Sequence, residues 1–544
     1  MTSIHLVLLS ENATSTPWDL GQVFSCPPKV KAISTLISEN LSTNPADAWL
    51  FWDSGLGRPD KQLLLTLLGT ASDCWHAGLA LGLEGKPEMI DFAAPTWMLN
   101  RDPDSSIEAT SWRLSLRACL IRTEVLSQLG GPSAAFESLE AAGLELGFRY
   151  IRKGAFIRHV PSLLGANIDK PKVDISLNDQ LLFIKFCFGE KWLRWAALRG
   201  CLTRFAKPVE LIRAWRHAHR QAQPEESLPF RRAEYALLQP VSGKVSVLIP
   251  TLRRYPYLRV VLDQLRSQTA QPLEILVVDQ SPLAERDPEL EKEFTDLPVR
   301  WFYLDQAGQC SSRNFGIQKS VGEFILFLDD DDEIEPDLIQ GHLEALARYQ
   351  TDISNGVAVE MGAGELPSDF RFARISDVFP TNNTLIRKSI LCKSGLFDLA
   401  YDHGQRADHD LGMRLYLQGE NLVINPETKV LHHHAPMGGL REHGARVNTY
   451  ASSRSQLFAV QLPTVSDLYL CERYFSTRQI LERMWIDVLG TFIIKGSIWK
   501  QMIKAVIATL SLPRSIQITR QRAETARLML VEFPKIPDCD WEVD

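Results

Sequence analysis

Five apolar residues, Phe324-Ile325-Leu326-Phe327-Leu328, run directly into Asp329-Asp330-Asp331-Asp332, and this junction narrows the possible folds more than any other stretch. A continuous apolar run of this length reads as a strand buried on both faces, the kind found in a parallel sheet covered by helices. The carboxyl end of such a strand is where an open α/β sheet presents its ligands. Four carboxylates gathered there repel one another and call for a cation. Their hard oxygens suit Mg2+ or Mn2+, which keep positions open for the oxygens of a diphosphate. A second reading has the aspartates capping a helix that starts near Pro336, with Glu333 and Glu335 favouring its dipole. One cap needs one aspartate, and the two readings can coexist.

The surrounding sequence alternates in the same sense. Strands are predicted over 244–251, 273–279 and 299–304, and helices over 257–268, 288–295 and 309–319, before the aspartate strand itself. Such alternation implies an α/β fold with a mostly parallel, Rossmann-like sheet. At 544 residues and 45% hydrophobic, the chain is too long for one core. A net charge of -7 argues against nucleic-acid binding. No apolar run approaches the roughly 18 residues of a membrane span. The opening residues, which include Ile4-His5-Leu6-Val7-Leu8-Leu9, read as a first strand and not as a signal peptide, which predicts a cytoplasmic protein. Nine scattered cysteines without a CxxC pair speak against a disulfide framework and a zinc site.

Five short motifs stand in a fixed order: Ile249-Pro250-Thr251, Val277-Val278-Asp279, Arg313-Asn314, Asp329-Asp330-Asp331 and Ala407-Asp408-His409-Asp410-Leu411. With them, the stretch from Val245 to about Pro436 resembles the family 2 glycosyltransferases of the GT-A fold. The resemblance implies that Pro250, Thr251, Asp279, Arg313, Asn314 and Asp330 bind a nucleotide-sugar donor. It implies that Asp329 and Asp331 bind Mg2+ or Mn2+, and that Asp408 is the general base activating an acceptor hydroxyl, with inversion at the anomeric carbon. Gln280 and Ala407 stand where many relatives carry acidic residues. Asp410 also has a structural reading, a pair with Arg414 one turn later, and Asp408 has one as a helix cap. His432-His433-His434 follows a predicted strand over 428–431, and in an extended chain His432 and His434 share a face. They read either as a solvated strand end or, as the resemblance implies for a histidine here, as further metal ligands.

The N-terminal part repeats the pattern at a constant offset. Cys119-Leu120-Ile121-Arg122 with Gly130 matches Thr384-Leu385-Ile386-Arg387 with Gly395, and Leu146-Gly147-Phe148-Arg149 with Gly154 matches Leu411-Gly412-Met413-Arg414 with Gly419. A second, degenerate GT-A-like domain is therefore expected. Ser54-Gly55 follows Asp53 where carboxylates would be needed, and Gly143 stands at the position of Asp408. This copy reads as a packing partner or an acceptor holder. The expected organisation is a degenerate domain over 1–170, a basic helical segment and linker over 171–243, a catalytic domain over 244–440 and helical C-terminal residues over 441–544.

Residues 185–220 hold nine Lys or Arg interleaved with Trp192, Trp195, Phe205 and Trp215, and residues 492–510 carry Lys495, Lys500 and Lys504 among apolar residues. Both read as basic helices, either packed with a solvated face or lying on an anionic membrane, where a lipid-linked acceptor would be met. The sequence thus predicts a metal-dependent inverting glycosyltransferase of polysaccharide or glycoconjugate synthesis, with a glycan or lipid-linked acceptor and peripheral contact at the inner face of a membrane. Two alternatives are a sugar nucleotidyltransferase, which should show a Gly-rich loop where Pro250-Thr251-Leu252-Arg253-Arg254 stands, and a non-catalytic nucleotide-sugar-binding protein.

Overall fold

The computed structural model describes residues 2–11, 17–85, 88–165, 172–224, 227–232, 241–362, 365–436, 438–439 and 456–539. Two mixed sheets are set by apolar runs that cannot stay in water. The first contains β1 (Ile4–Leu9), β2 (Val23–Cys26), β3 (Ala48–Asp53), β4 (Cys74–His76), β5 (Ala109–Thr110), β6 (Ala118–Arg122) and β7 (Ile157–His159), in the order β2-β1-β3-β6-β4-β7-β5. The second contains β8 (Val245–Thr251), β9 (Glu274–Asp279), β10 (Val299–Tyr303), β11 (Phe324–Leu328), β12 (Asp332–Ile334), β13 (Ile353–Glu360), β14 (Arg374–Ile375), β15 (Asn383–Arg387) and β16 (Leu422–His432). Its order is β10-β9-β8-β11-β15-β13-β16-β12, with β14 also on β16. Most strands in each sheet share one direction, and β5, β6, β12, β14 and β15 run against it.

Side chains alternate across the second sheet with the period of two that a strand imposes. Leu248, Leu276, Val278, Ile325 and Phe327 enter a core shared with Val7, Leu9, Trp49, Phe51 and Ile121 of the first sheet. Val247, Ile249, Leu326 and Leu328 face the other way, under the helices Tyr255–Arg266 and Leu338–Tyr349. One continuous core therefore joins the two sheets.

Without β10 and β12, the second sheet reads β9-β8-β11-β15-β13-β16-β14, matching the order and directions of the first strand for strand. Registers agree as well: Ala109 faces His159 and Arg374 faces Ile424, 265 positions on in both cases (109 and 374, 159 and 424). An arginine with equivalent partners recurs at the same spacing. Arg414 pairs with Asp410 at 2.9 Å and donates to the Ser394 and Leu396 carbonyls; Arg149 pairs with Glu145 at 2.8 Å and donates to those of Leu129 and Gly131. Asp410 thus takes its structural reading, and the hydroxyl of Tyr474 also donates to it at 2.8 Å.

Contacts between the halves are reciprocal. Gly154 packs on the Ala373 carbonyl and Gly419 on the Glu108 carbonyl, equivalent positions exchanged between the halves (108 and 373, 154 and 419). Both glycines are left-handed, at φ 96° and 90°, and a methyl group at either would press on a backbone carbonyl oxygen. Gly419→Ala is therefore expected to cost about 1–3 kcal/mol, read as a lower midpoint in chemical denaturation. Gly57, left-handed with open space around it, should tolerate alanine at the smaller backbone cost alone.

Several expectations are corrected. The aspartates do not cap a helix near Pro336. They lead into β12, and the next helix, Leu338–Tyr349, begins after Asp337 without a side-chain cap. The segment over 171–243 contains the helices Leu177–Phe188, Glu190–Leu202 and Pro208–Arg220, which bury Leu181, Leu193 and Leu211 in the shared core. Lys185 is turned inward, its Nζ donating to the carbonyls of Ala218, His219 and Gln221. Lys504 is likewise buried, donating to those of Leu457 and Ala459 at 2.9 and 2.7 Å. Neither contributes to a basic surface. Of the expected linker, Phe230 donates its N–H to the Lys153 carbonyl and Arg232 pairs with Asp73, while 225–226 and 233–240 lie outside the described residues. The C-terminal residues form the helices Val465–Tyr474, Thr477–Gly490 and Ile498–Glu532; 440–455 lie outside the described residues.

Candidate active site

The carboxyl ends of β8, β9, β11 and β16 converge because these strands share a direction. Together with the start of the helix Gln309–Lys319 they enclose a cavity of about 320 Å³. Pro250, Thr251, Arg254, Gln280, Arg313, Asp329, Asp330, Asp331, His432 and His434 all line it. The helix is fixed at its first turn by Asp402, whose Oδ1 accepts the N–H groups of Cys310 and Ser311 at 2.8 Å each. That anchor aims Arg313 at Asp329, 2.8 Å away. Gln280 accepts the N–H of Gly308 at 2.6 Å, tying the end of β9 to the same turn.

The four aspartates have different surroundings. Asp330 is buried, accepting from the Thr251 hydroxyl at 2.7 Å and from Arg254 at 3.0 Å. Burial pushes its carboxyl up to about 7, against the pull of Arg254. Asp332 is also buried, and its carboxyl is raised by burial against the opposing bond from His432 Nδ1 at 2.9 Å. Asp331 accepts from Arg254 at 3.0 Å and from the Ala435 N–H at 2.7 Å. Asp329, Asp331 and His432 each place one ligand atom so that all three lie within 4.8 Å of one another.

Two carboxylates and an imidazole form a donor set that fits Mn2+ or Mg2+. His434 joins His432 in a second grouping, through Glu360 and not through the aspartates. His433 is directed elsewhere, its Nε2 2.5 Å from Glu333. Burial disfavours the charged form of His432, but the bond to Asp332 and the fields of Asp329, Asp332 and Asp331 outweigh it and raise its pKa to about 9. A ligating imidazole must be neutral. Below about 9 a metal must therefore displace a proton from His432, and its apparent affinity is expected to rise with pH until about 9 and then level off. Calorimetric titration of Mn2+ across that range checks this, and the slope should flatten in His432→Gln.

Three further expected site residues do not line this cavity among the described residues. Asp279 is buried and accepts from the Tyr255 hydroxyl at 2.7 Å and the Ser281 N–H at 2.8 Å. Asn314 exchanges both amide bonds with the backbone of Phe397 at 2.8 Å. Asp408 stands in the first turn of the helix Ala407–Leu417, where its Oδ1 accepts the N–H and Nδ1 of His409 at 2.9 Å each. Its side chain is 36% exposed. Burial works against its charge, but His409 and Arg406 prevail and lower its pKa. It does not cap that helix: the cap position is Arg406.

Sequence reasoning missed Arg254, which bonds Asp330 and Asp331 and donates to the Gly438 carbonyl at 3.2 Å. It also missed Asp402 and Gln405, the latter lining the cavity. For Arg254 a signal existed: a pair of arginines just beyond the strand that neighbours four aspartates.

Residues 246–388 match the family described as Glycosyl transferase family 2. Glycosyltransferase GlyA of Streptococcus pneumoniae is 34% identical over 118 residues, covering 21% of this chain and 17% of the relative. The GalNAc(5)-diNAcBac-PP-undecaprenol beta-1,3-glucosyltransferase of Campylobacter jejuni is 31% identical over 106 residues, 19% of this chain and 33% of the relative. The matched stretch thus spans at most about a third of these curated relatives. Among solved structures, a mannosyltransferase of Pyrobaculum calidifontis in complex with GDP-Man and Mn2+ aligns at 15% identity over 56% of this chain and 92% of its own, with a TM-score of 0.36. TarS of S. aureus with UDP-GlcNAc aligns at 17% over 52% and 89%, with a TM-score of 0.35. Both likenesses are too remote to bear on mechanism. The sequence match to glycosyl transferase family 2 thus covers residues 246–388 of the chain.

Proposed function

We propose that this protein is a metal-dependent, inverting glycosyltransferase that moves a sugar from a nucleoside-diphosphate donor to an acceptor hydroxyl. The observation that carries the reading is the meeting of Asp329, Asp331 and His432 at the wall of a cavity that the family 2 segment lines together with Gln405, His432, His434 and Gly439. Mg2+ or Mn2+ held there would neutralise charge on the departing diphosphate. Arg313, at the start of the helix Gln309–Lys319, would add a fixed cation beside that charge, and Thr251 and Pro250 line the same cavity.

In this reading the Asp408 carboxylate takes the acceptor hydroxyl proton. The acceptor oxygen bonds to the anomeric carbon as the bond from that carbon to the diphosphate oxygen breaks on the opposite face. The lowered pKa of Asp408 keeps it ionised and able to accept at neutral pH. Asp279 shapes the nucleotide end through Tyr255 and the turn at Ser281, and Asn314 acts by holding the Phe397 backbone.

The first sheet, with its shared strand order and registers, is inferred to be a second copy of the same plan without the chemistry. Asp53 is spent on Arg117 at 2.5 Å, and a side chain at Gly143 would meet the Leu114 carbonyl at 2.5 Å. The domain division at about 170, 243 and 440 follows from that reading. The Campylobacter jejuni relative is named for an undecaprenol-linked substrate, which supports a lipid-linked acceptor here.

The test incubates purified protein with a panel of nucleotide sugars, glycan and polyprenyl-diphosphate-linked acceptors, with and without Mn2+. Metal-dependent release of nucleoside diphosphate from one donor is expected, with the product anomer inverted by NMR. Donor binding without turnover on any acceptor would instead support the binding-protein alternative.

A further inference from the structure

We propose that the exposed apolar face of the helix Ile498–Glu532 docks the protein on an anionic lipid bilayer. This inference is independent of the transferase reading. Ile498, Trp499, Met502, Ile503, Val506 and Leu510 are between 49% and 78% exposed. At 3.6 residues per turn they fall within an arc of about 140° on one side of the helix. The opposite side carries the residues that hold this half to the body, Lys504 and Ala508.

Pro513 divides the helix. Beyond it, Thr519, Ala523 and Ala526 are buried and Arg527 pairs with Glu472 of the helix Val465–Tyr474 at 2.8 Å. Before it, six large apolar side chains face outward. Phe458, 80% exposed, sits between the two residues whose carbonyls hold Lys504. A stripe of this kind is too extended to be scattered surface apolarity. Among the described residues no helix is long and apolar enough to cross a membrane, so the stripe can lie on a bilayer without spanning it.

Charge selects the occupant. No Asp or Glu occurs between Asp487 and Glu524. Lys495, Lys500 and Arg514 are exposed, and the last two lie on one side of the apolar arc, within about 60° of it. An apolar stripe with cations along one edge and no carboxylate beside it complements anionic head groups above and acyl chains below. A two-fold contact between copies of this chain would set the same cations against one another. The basic helices Glu190–Leu202 and Pro208–Arg220, with Leu198, Leu202, Val209 and Ile212 exposed, carry a similar surface. The first of them is joined to the C-terminal helices by the Arg199–Glu482 pair at 2.6 Å.

The full chain is tested by flotation with vesicles of phosphatidylcholine mixed with phosphatidylglycerol, and with vesicles of phosphatidylcholine alone. Binding to the anionic vesicles is expected, weakened by salt and about tenfold weaker on the neutral ones. Trp499→Glu, Met502→Glu and Val506→Glu together should lower anionic-vesicle partitioning on the order of 100-fold, with unchanged circular dichroism because the positions are exposed. Should the triple variant not fold, Trp499→Ser with Met502→Ser serves in its place. Binding that survives these changes overturns the assignment to this face. Wild-type protein that ignores the vesicles overturns it too. If it is then a dimer by sedimentation and the variant a monomer, the stripe is a contact between copies.

Discussion

Asp408→Asn is expected to lower turnover by about 10²–10⁴-fold, the usual contribution of a positioned general base, while donor affinity and metal binding stay at wild-type levels. The structure separates the two effects. Asp408 lies in the first turn of its helix and is not among the residues lining the cavity, whose lining includes Gln405 three residues earlier. An asparagine there can still accept the His409 N–H at Oδ1 but cannot take a proton. The substitution also keeps the shape of the turn that ends at Arg406, itself left-handed at φ 85° and paired with Asp467 at 2.5 Å. The charged surroundings of Asp408 lower its pKa, so the acid limb of the rate profile should fall below the ordinary carboxylate value of about 3.9. The measurement is kcat with saturating donor and acceptor, beside the calorimetric dissociation constant of the donor. A fall of less than about tenfold would move the base elsewhere.

Much of this site was legible because its signals are local. The helix over 309–319 has the predicted bounds, and β8, β9 and β11 end where the apolar runs meet Thr251, Asp279 and Asp329. Strand periodicity and the placement of polar residues at strand ends depend only on neighbouring residues. The division of labour among the four aspartates does not. Asp330 is sequestered by Thr251 and Arg254 from 79 and 76 positions away, and Asp332 by His432 from 100 away. Such pairings exist only after the sheet has brought distant strand ends together. Asn314 shows the same limit: its motif suggests donor binding, yet both its amide bonds close on Phe397, 83 residues on. The basic segments misled in one respect, since a lysine such as Lys185 or Lys504 reads as surface charge until a set of backbone carbonyls, from a helix end for Lys185 and from the segment at Leu457 and Ala459 for Lys504, is found around it.

Asp331→Asn is expected to abolish measurable Mn2+ binding and to reduce metal-dependent nucleoside diphosphate release on the order of 10³-fold, since Lewis-acid stabilisation is worth several kcal/mol. Asp330→Asn should leave metal binding nearly intact, and the comparison locates the ion. Asp330 is turned to Thr251 and Arg254, and burial lifts its carboxyl to about 7, so a neutral amide replaces a group only partly ionised near neutral pH and already paired with Arg254. Asp331 presents its oxygens to Arg254, the Ala435 N–H and the position shared with Asp329 and His432. Removing its charge leaves Asp329 as the one carboxylate beside His432 in that grouping, so half of the anionic donor set is lost. Calorimetric titration of Mn2+ into both variants decides the matter without reference to activity. Retained affinity in Asp331→Asn would place the ion at Glu360, His432 and His434 instead, and the variant Glu360→Gln would then carry the loss.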